Sequence, residues 1–290
     1  CKGDQRVVIK VLSFGAGVQS TALLLMSCKG ILPKLDYCVF ADVGWEPESV
    51  YSHLEWCKDE ASKAGIEIHV VKQTEGGLRA DVIKNMTSKD GNRFASMPFF
   101  VRHDSGDVAL SLRQCTNDYK ITPLSRFMRR EILGLKPRQR APKNAVIECW
   151  LGISFDEAPR AKPSRDKWKV HIFPFLNWGC DYLKGKMWRR YQIIKWLETN
   201  YPDHKVPRSA CIGCPFRDNK SWREIKANPE EWKDAVEFDR LIRSDKRGKI
   251  KQDMYLHRKC IPLDQIDLRT DEEKGQNNLW DNECEGMCGL

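Results

Sequence analysis

The stretch from Val7 to Cys28, VVIKVLSFGAGVQSTALLLMSC, constrains the fold of this chain more than any other. Val7, Val8, Ile9, Val11 and Leu12 read as a buried parallel strand, residues 13–20 as a tight loop of small residues, and Thr21–Cys28 as an apolar helix. A glycine loop between strand and helix aims backbone N–H groups and a positive helix end at an anion. Side chains at Gly15 and Gly17 would block close approach of the backbone to such a ligand. The same pattern also makes a plain turn. It carries neither the Gly-Lys-Ser/Thr of the P-loop nor the GxGxxG of dinucleotide sites.

The next segments repeat the strand–helix alternation. Leu35–Ala41 reads as a second strand, ending at Asp42, and a helix follows from Pro47 to about Lys63. Pro47 suits the start of that helix, where its missing N–H costs nothing. Gly65 ends it, and Ile66–Val71 reads as a third strand. Two strand–helix–strand units in sequence predict an α/β fold with a doubly wound parallel sheet. An acidic residue at the C-terminal end of a strand, like Asp42, stands where open α/β sheets bind their ligands, and it also suits a helix cap.

Further along, the polar segment 85–111 reads as a long loop, with Arg93 and Arg102 solvated. A helix is expected from just past Cys115 to about Leu133, and a strand over Val146–Ile153. Residues 136–144, KPRQRAPKN, read as a basic connector. A helix is predicted over Lys186–Asn200, with Trp188, Tyr191, Ile194 and Leu197 facing a core. Residues 219–245 read as helical, with Trp222, Trp232, Phe238 and Leu241 buried. The expected organisation is an α/β nucleotide-binding domain over residues 1–200 and a mostly helical, cysteine-containing region over 201–290.

The chain has 290 residues, enough for a full α/β core. No apolar run approaches the length of a membrane span, and the first residues lack the apolar stretch of a secretory signal, so a cytoplasmic protein with no membrane partner is expected. The net charge of +9 favours anionic partners, from a nucleotide to a nucleic acid. Twelve cysteines without a secretion signal point to metal ligands or reactive thiols rather than disulfides. Cys28, Cys38, Cys57 and Cys149 lie in apolar segments and read as core packing. Ser209-Ala210-Cys211-Ile212-Gly213-Cys214-Pro215 carries a C-x-x-C, a spacing shared by zinc sites, iron–sulfur sites and redox dithiols. Cys115 stands among Arg113 and Lys120, a cationic setting that helps bind anions. His257 reads as a structural histidine.

Taken in order, S-F-G-A-G-V-Q-S, the acidic segment from Asp42 to Glu48, Cys115 to Leu124, Gly152 to Arg160, F-P-F-L-N-W from Phe173 and the C-x-x-C segment resemble the phosphoadenosine phosphosulfate (PAPS) reductase family. That family belongs to the PP-loop, or adenine nucleotide α-hydrolase, superfamily. The resemblance spans roughly residues 8–215. It implies that Ser13, Gly15, Gly17, Gln19 and Ser20 cradle nucleotide phosphates, that Asp42 lies beside the base or ribose, and that Lys120 and Arg160 face the reacting anion. Several positions depart from the family pattern. Ser154 stands where the family has an arginine, Val43 replaces a threonine, and one cysteine, Cys115, replaces an adjacent pair.

The tail, N-E-C-E-G-M-C-G-L, resembles the segment in which PAPS reductases carry their nucleophilic thiol. Cys288 is the expected nucleophile, with Cys284 the competing match. The resemblance implies a 4Fe–4S cluster, with zinc or metal-free thiols as the alternatives, on Cys115, Cys211, Cys214 and Cys284; Cys260 is a further candidate fourth ligand. Two activities are implied. One is thiol-dependent reduction of PAPS or adenylyl sulfate (APS) to sulfite, with a thioredoxin-like donor. The other is ATP-Mg-dependent sulfur insertion into tRNA or DNA. A non-catalytic nucleotide-binding module is a third reading, and a homodimer is an open possibility. The neutral Gln19, where ATP pyrophosphatases usually carry an acidic residue, leans toward the reductase.

Overall fold

The computed structural model describes residues 8–87, 97–244, 252–269 and 273. Its centre is a five-stranded, all-parallel sheet in the order β3-β2-β1-β6-β7. The strands are β1 (Ile9–Phe14), β2 (Tyr37–Asp42), β3 (Ile68–Lys72), β6 (Ile147–Trp150) and β7 (Lys169–Ile172). Val11 aligns with Tyr37 on one side of β1 and with Cys149 on the other.

The period of two along each strand divides the core between the two faces. Leu12, Phe14, Cys38, Phe40 and Trp150 pack on one face against α1 (Val18–Cys28), α2 (Glu48–Lys63) and α5 (Arg190–Asn200). Val11, Val39, Ile147 and Cys149 pack on the other against α4 (Thr122–Phe127) and the π-type turns that flank it, Asn117–Ile121 and Met128–Ile132. Pro123, near the start of α4, has no N–H to continue an α-helical ladder. Helices on both faces of a parallel sheet are consistent with the expected doubly wound α/β fold.

A third apolar cluster gathers beyond the sheet. It joins Val43, Trp45 and Leu78 to Ile212, Trp222, Phe238 and Met254. These residues come from the loop after β2, from α3 (Gly77–Thr87), the cysteine segment, α6 (Asn219–Lys226), α7 (Pro229–Ser244) and β8 (Met254–Tyr255), so residues on both sides of position 200 share one core. The segment expected as a loop is in part ordered structure. Residues 77–87 are helical, and β4 (Phe100–Arg102) pairs antiparallel with both β5 (Val108–Leu110) and β8.

Two helical expectations change. In α5 the buried positions are Ile193 and Leu197, one turn apart, while Tyr191 points to solvent. The single helix expected over 219–245 is two, broken before Pro229; Ile242 is buried in α7 and Leu241 is exposed. Among the described residues no helix is long and apolar enough to cross a membrane.

Candidate functional site

The glycine loop leaves β1 at Phe14 and enters α1 at Val18. Ala16 takes φ +53, in the left-handed region that an L side chain rarely adopts. The amides of Gly15 and Gly17 both donate to Ser20 Oγ, at 3.2 and 3.4 Å. Two loop amides thus converge on one oxygen, the arrangement by which such loops hold an anion. Gly152, just past β6, lies against this turn. A Cβ there would stand 2.8 Å from the Ser20 nitrogen, so only glycine allows this approach.

Gln19 is buried, and its amide is held at both ends. Nε2 donates to Glu157 at 2.8 Å, and Oε1 accepts from Arg190 Nη1 at 3.1 Å. Arg160 pairs with the same Glu157. Burial raises the Glu157 pKa, against the opposing pull of Arg160 and Arg190. Arg160 therefore stands on the glycine-loop side of the site. Asp42, the last residue of β2, accepts from the Gly44 amide at 2.7 Å and from Tyr51 Oη at 2.9 Å, and pairs with Lys72 at 3.3 Å. It stands at the strand end as expected and organises the turn there. Ser154 is fully buried, with no hydrogen-bond partner for its hydroxyl among the described residues.

The cysteine segment lies against the glycine loop. Ser209 Oγ donates to the Gly15 carbonyl, and a Cβ on Gly17 would come within 3.3 Å of Ser209 Cβ. The next residues dock on Trp45. The Ile212 amide donates to the Trp45 carbonyl at 2.9 Å, and a Cβ on Gly213 would meet the Trp45 ring at 2.1 Å. Trp45 itself is fixed by its Nε1–H donating to Asp234 at 2.6 Å.

Cys115, Cys211 and Cys214 line one cleft with Arg113, Thr116 and Lys120. Lys120 Nζ is 4.0 Å from the buried Glu46 carboxylate. Thr116 is buried, and its hydroxyl has no hydrogen-bond partner among the described residues. Behind the cysteine loop Arg217 is buried and donates to the carbonyls of Ala210 at 2.6 Å, Cys211 at 2.9 and 3.0 Å, and Ile212 at 3.2 Å. Burial lowers its pKa, and Cys214 and Cys211 pull it back up.

The donor chemistry of the cleft suits a thiolate-bound metal group, which takes soft sulfur ligands and an electropositive surround. Among the described residues no three His, Cys, Asp or Glu side chains converge into a metal-holding group. The expected ligand Cys284 and the expected nucleophile Cys288 lie outside the described residues, as does Arg93. Cys260 is buried with its thiol pKa raised by burial, and is not part of the cleft lining. Burial also raises the thiol pKa of Cys28, to about 11, and those of Cys38, Cys57 and Cys149, as packing residues would show. His257 is buried, with Nε2 3.1 Å from Asn219 Oδ1 and Nδ1 accepting from the Lys259 amide at 3.2 Å, a structural role.

Sequence reasoning missed Arg190, Glu157 and Arg217 as parts of this site. Arg190 and Glu157 act on Gln19, which is remote in the chain, and Arg217 acts on backbone carbonyls; only the Glu157–Arg160 pair has a local spacing. No known protein-family model matches the chain, and no curated protein matches it significantly.

Proposed function

We propose that this protein is a PAPS-reductase-like enzyme that binds an adenine nucleotide on its glycine loop and reduces a sulfonucleotide, PAPS or APS, to sulfite. The observation that carries the reading is the Ser209–Gly15 hydrogen bond, which holds a thiol-lined, cation-bearing cleft against an anion-binding turn. A nucleotide phosphate that takes the place of Ser20 Oγ on the Gly15 and Gly17 amides leaves the sulfuryl group to extend toward Lys120, which offsets the charge leaving with the phosphate. Arg160 and Arg190 neutralise Glu157 and steady the turn through Gln19.

The reaction needs a thiolate, assigned to Cys288 with Cys284 as its competitor. The thiolate attacks the sulfuryl sulfur, an S–S bond forms, and the S–O bond to the nucleotide phosphate breaks with its electron pair leaving on phosphate. A thiol of an external dithiol donor then attacks the cysteine sulfur. Sulfite departs with the S–S electron pair, and the second donor thiol closes a donor disulfide, regenerating the protein thiolate. Cys115, Cys211, Cys214 and Cys284 would hold a 4Fe–4S cluster, or zinc, and that group would supply a redox-active or Lewis-acid centre at the cleft.

A second reading, ATP-Mg-dependent sulfur insertion into nucleic acid, is favoured by the positive charge of the segment that holds Gln19. Residues 155–195 hold ten Lys and Arg against four Asp and Glu. Anaerobically purified protein, assayed for iron, sulfide and zinc and titrated with PAPS, APS and ATP-Mg, separates the two. Sulfite release that needs a thioredoxin-like donor and disappears in Cys288→Ser and Cys284→Ser supports reduction. Pyrophosphate release from ATP that needs added nucleic acid replaces it with the second reading. Binding of no nucleotide overturns both.

A further inference from the structure

Beside the glycine loop the surface carries large apolar side chains interleaved with cations. Phe155, Trp178, Met187 and Tyr191 are exposed, Tyr191 by 64% and Met187 by 54%. Three contacts tie the segments that carry them to one another. The Phe155 amide donates to the Trp188 carbonyl at 2.8 Å, and the Arg189 guanidinium lies 5.2 Å from the Phe155 ring centre. Asn177, next to Trp178, donates its side-chain amide to the Lys186 carbonyl at 2.7 Å. Lys184, Lys186 and Arg189 are exposed along the same turn. The neighbouring Asp156 accepts from the Arg190 amide and pairs with Arg189 at 3.7 Å, so it offsets one cation of this face and leaves Lys184 and Lys186 exposed beside it.

Exposed apolar groups of this size mark a binding surface. A second copy of the same face would bring like charges together, and an apolar protein partner would leave the cations unpaired. A duplex would meet the cations with phosphate but would hide the base faces. Unpaired nucleotides satisfy both, with bases stacking on aromatic rings and phosphates meeting Lys and Arg.

We propose that the face formed by Phe155, Trp178, Lys186, Met187, Arg189 and Tyr191 binds single-stranded nucleic acid. Bases stack on Tyr191 and Trp178, and phosphates pair with Lys186 and Arg189. The strand leads toward Arg190, whose guanidinium bonds Gln19 in the first turn after the glycine loop. The binding rests on neither reading of the chemistry, and under the second it presents the acceptor to the nucleotide site.

The test is fluorescence anisotropy of the full chain with a labelled mixed-sequence single strand, DNA and RNA in turn, without PAPS or ATP, so turnover has no part in it. Tyr191→Ala is expected to weaken binding at least fivefold, since base–aromatic stacking contributes about 1–3 kcal/mol per base. Trp178→Ala should act alike; Tyr191→Ala keeps the test valid if loss of the Trp178–Phe173 contact disturbs folding. Lys186→Gln with Arg189→Gln should flatten the salt dependence by roughly 0.7 per lost phosphate contact. Three results overturn the proposal: no binding at low salt, equal binding by wild type and Tyr191→Ala, or tighter binding of a matched duplex. Where that equal binding comes with a change of oligomeric state in Tyr191→Ala, the face is a contact between copies.

Discussion

Ser209 donates its hydroxyl hydrogen to the Gly15 carbonyl, and this bond joins the cysteine segment to the glycine loop across most of the chain's length. It couples the two halves of the candidate site. Ser209→Ala should lower stability by about 1 kcal/mol, the usual net value of an intramolecular hydrogen bond. It should weaken nucleotide binding while far-UV circular dichroism stays unchanged. Urea midpoints and a PAPS titration on both proteins check this; unchanged affinity would mean that the two loops do not cooperate.

Gly213 lies where a methyl group would collide with the Trp45 ring. Gly213→Ala is expected to cost roughly 1–3 kcal/mol, the range for overpacking. It should also displace Cys211 and Cys214 and reduce bound metal. Trp45→Leu in the same chain should recover part of that loss. A double-mutant cycle on urea midpoints reads the coupling, and simple additivity would contradict the contact.

Gly152 approaches the backbone of Gln19 and Ser20 too closely for any side chain. Gly152→Ala should push the start of α1 off the sheet and raise the nucleotide Kd at least tenfold. Calorimetric titration of the folded variant measures it.

Arg217 holds three carbonyls of the cysteine loop from behind. Arg217→Met keeps the bulk and strips the donors, and each buried carbonyl left unpaired costs about 1–3 kcal/mol. Metal content after anaerobic purification should fall well below that of wild type, with a lower urea midpoint. Arg217→Lys should recover little, since one ammonium cannot reach the same set of carbonyls in a planar fork.

His53 is buried between Thr21, at 2.9 Å, and His204, at 2.7 Å, with Cys57 Sγ 3.4 Å away. Burial first, and then His204, pushes its pKa down to about 4 from 6.5. Burial also lowers His204, against a raising influence from Glu60. The unfolded chain therefore binds protons here that the folded chain refuses. Stability is full above about pH 6.5 and falls as the pH drops toward about 4. At about 1.4 kcal/mol per pKa unit, the His53 contribution is at most about 3 kcal/mol. Urea midpoints at pH 7 and pH 5 should separate more in wild type than in His53→Gln; equal separations would remove this pair as the cause.

Much of the α/β core was legible because its signals are local. The run from Ile9 to Cys28 carries strand, loop and helix within its own neighbours, and the apolar β2 and β3 segments do the same. The hairpin β4–β5 was not legible, because Phe100 and Val101 gain their order by pairing with Tyr255 and Met254, far downstream. In α5 the residue spacing allowed more than one apolar face. Packing against α1 and α2 selected Ile193 and Leu197, and left Tyr191 on the surface.

The candidate site divides in the same way. Glycines in a strand-to-helix turn and a C-x-x-C are written in short windows, since backbone geometry and ligand chemistry act over a few residues. That Cys115 shares a cleft with Cys211 and Cys214, and that Gln19 is held between Glu157 and Arg190, came only with the fold. The chain by itself determined the strand–loop–helix start of the core and its next two strands, and which thiols and cations exist. The tertiary structure decided which of them meet, because a hydrogen bond or a shared cleft depends on distance in space and leaves no periodic trace along the sequence.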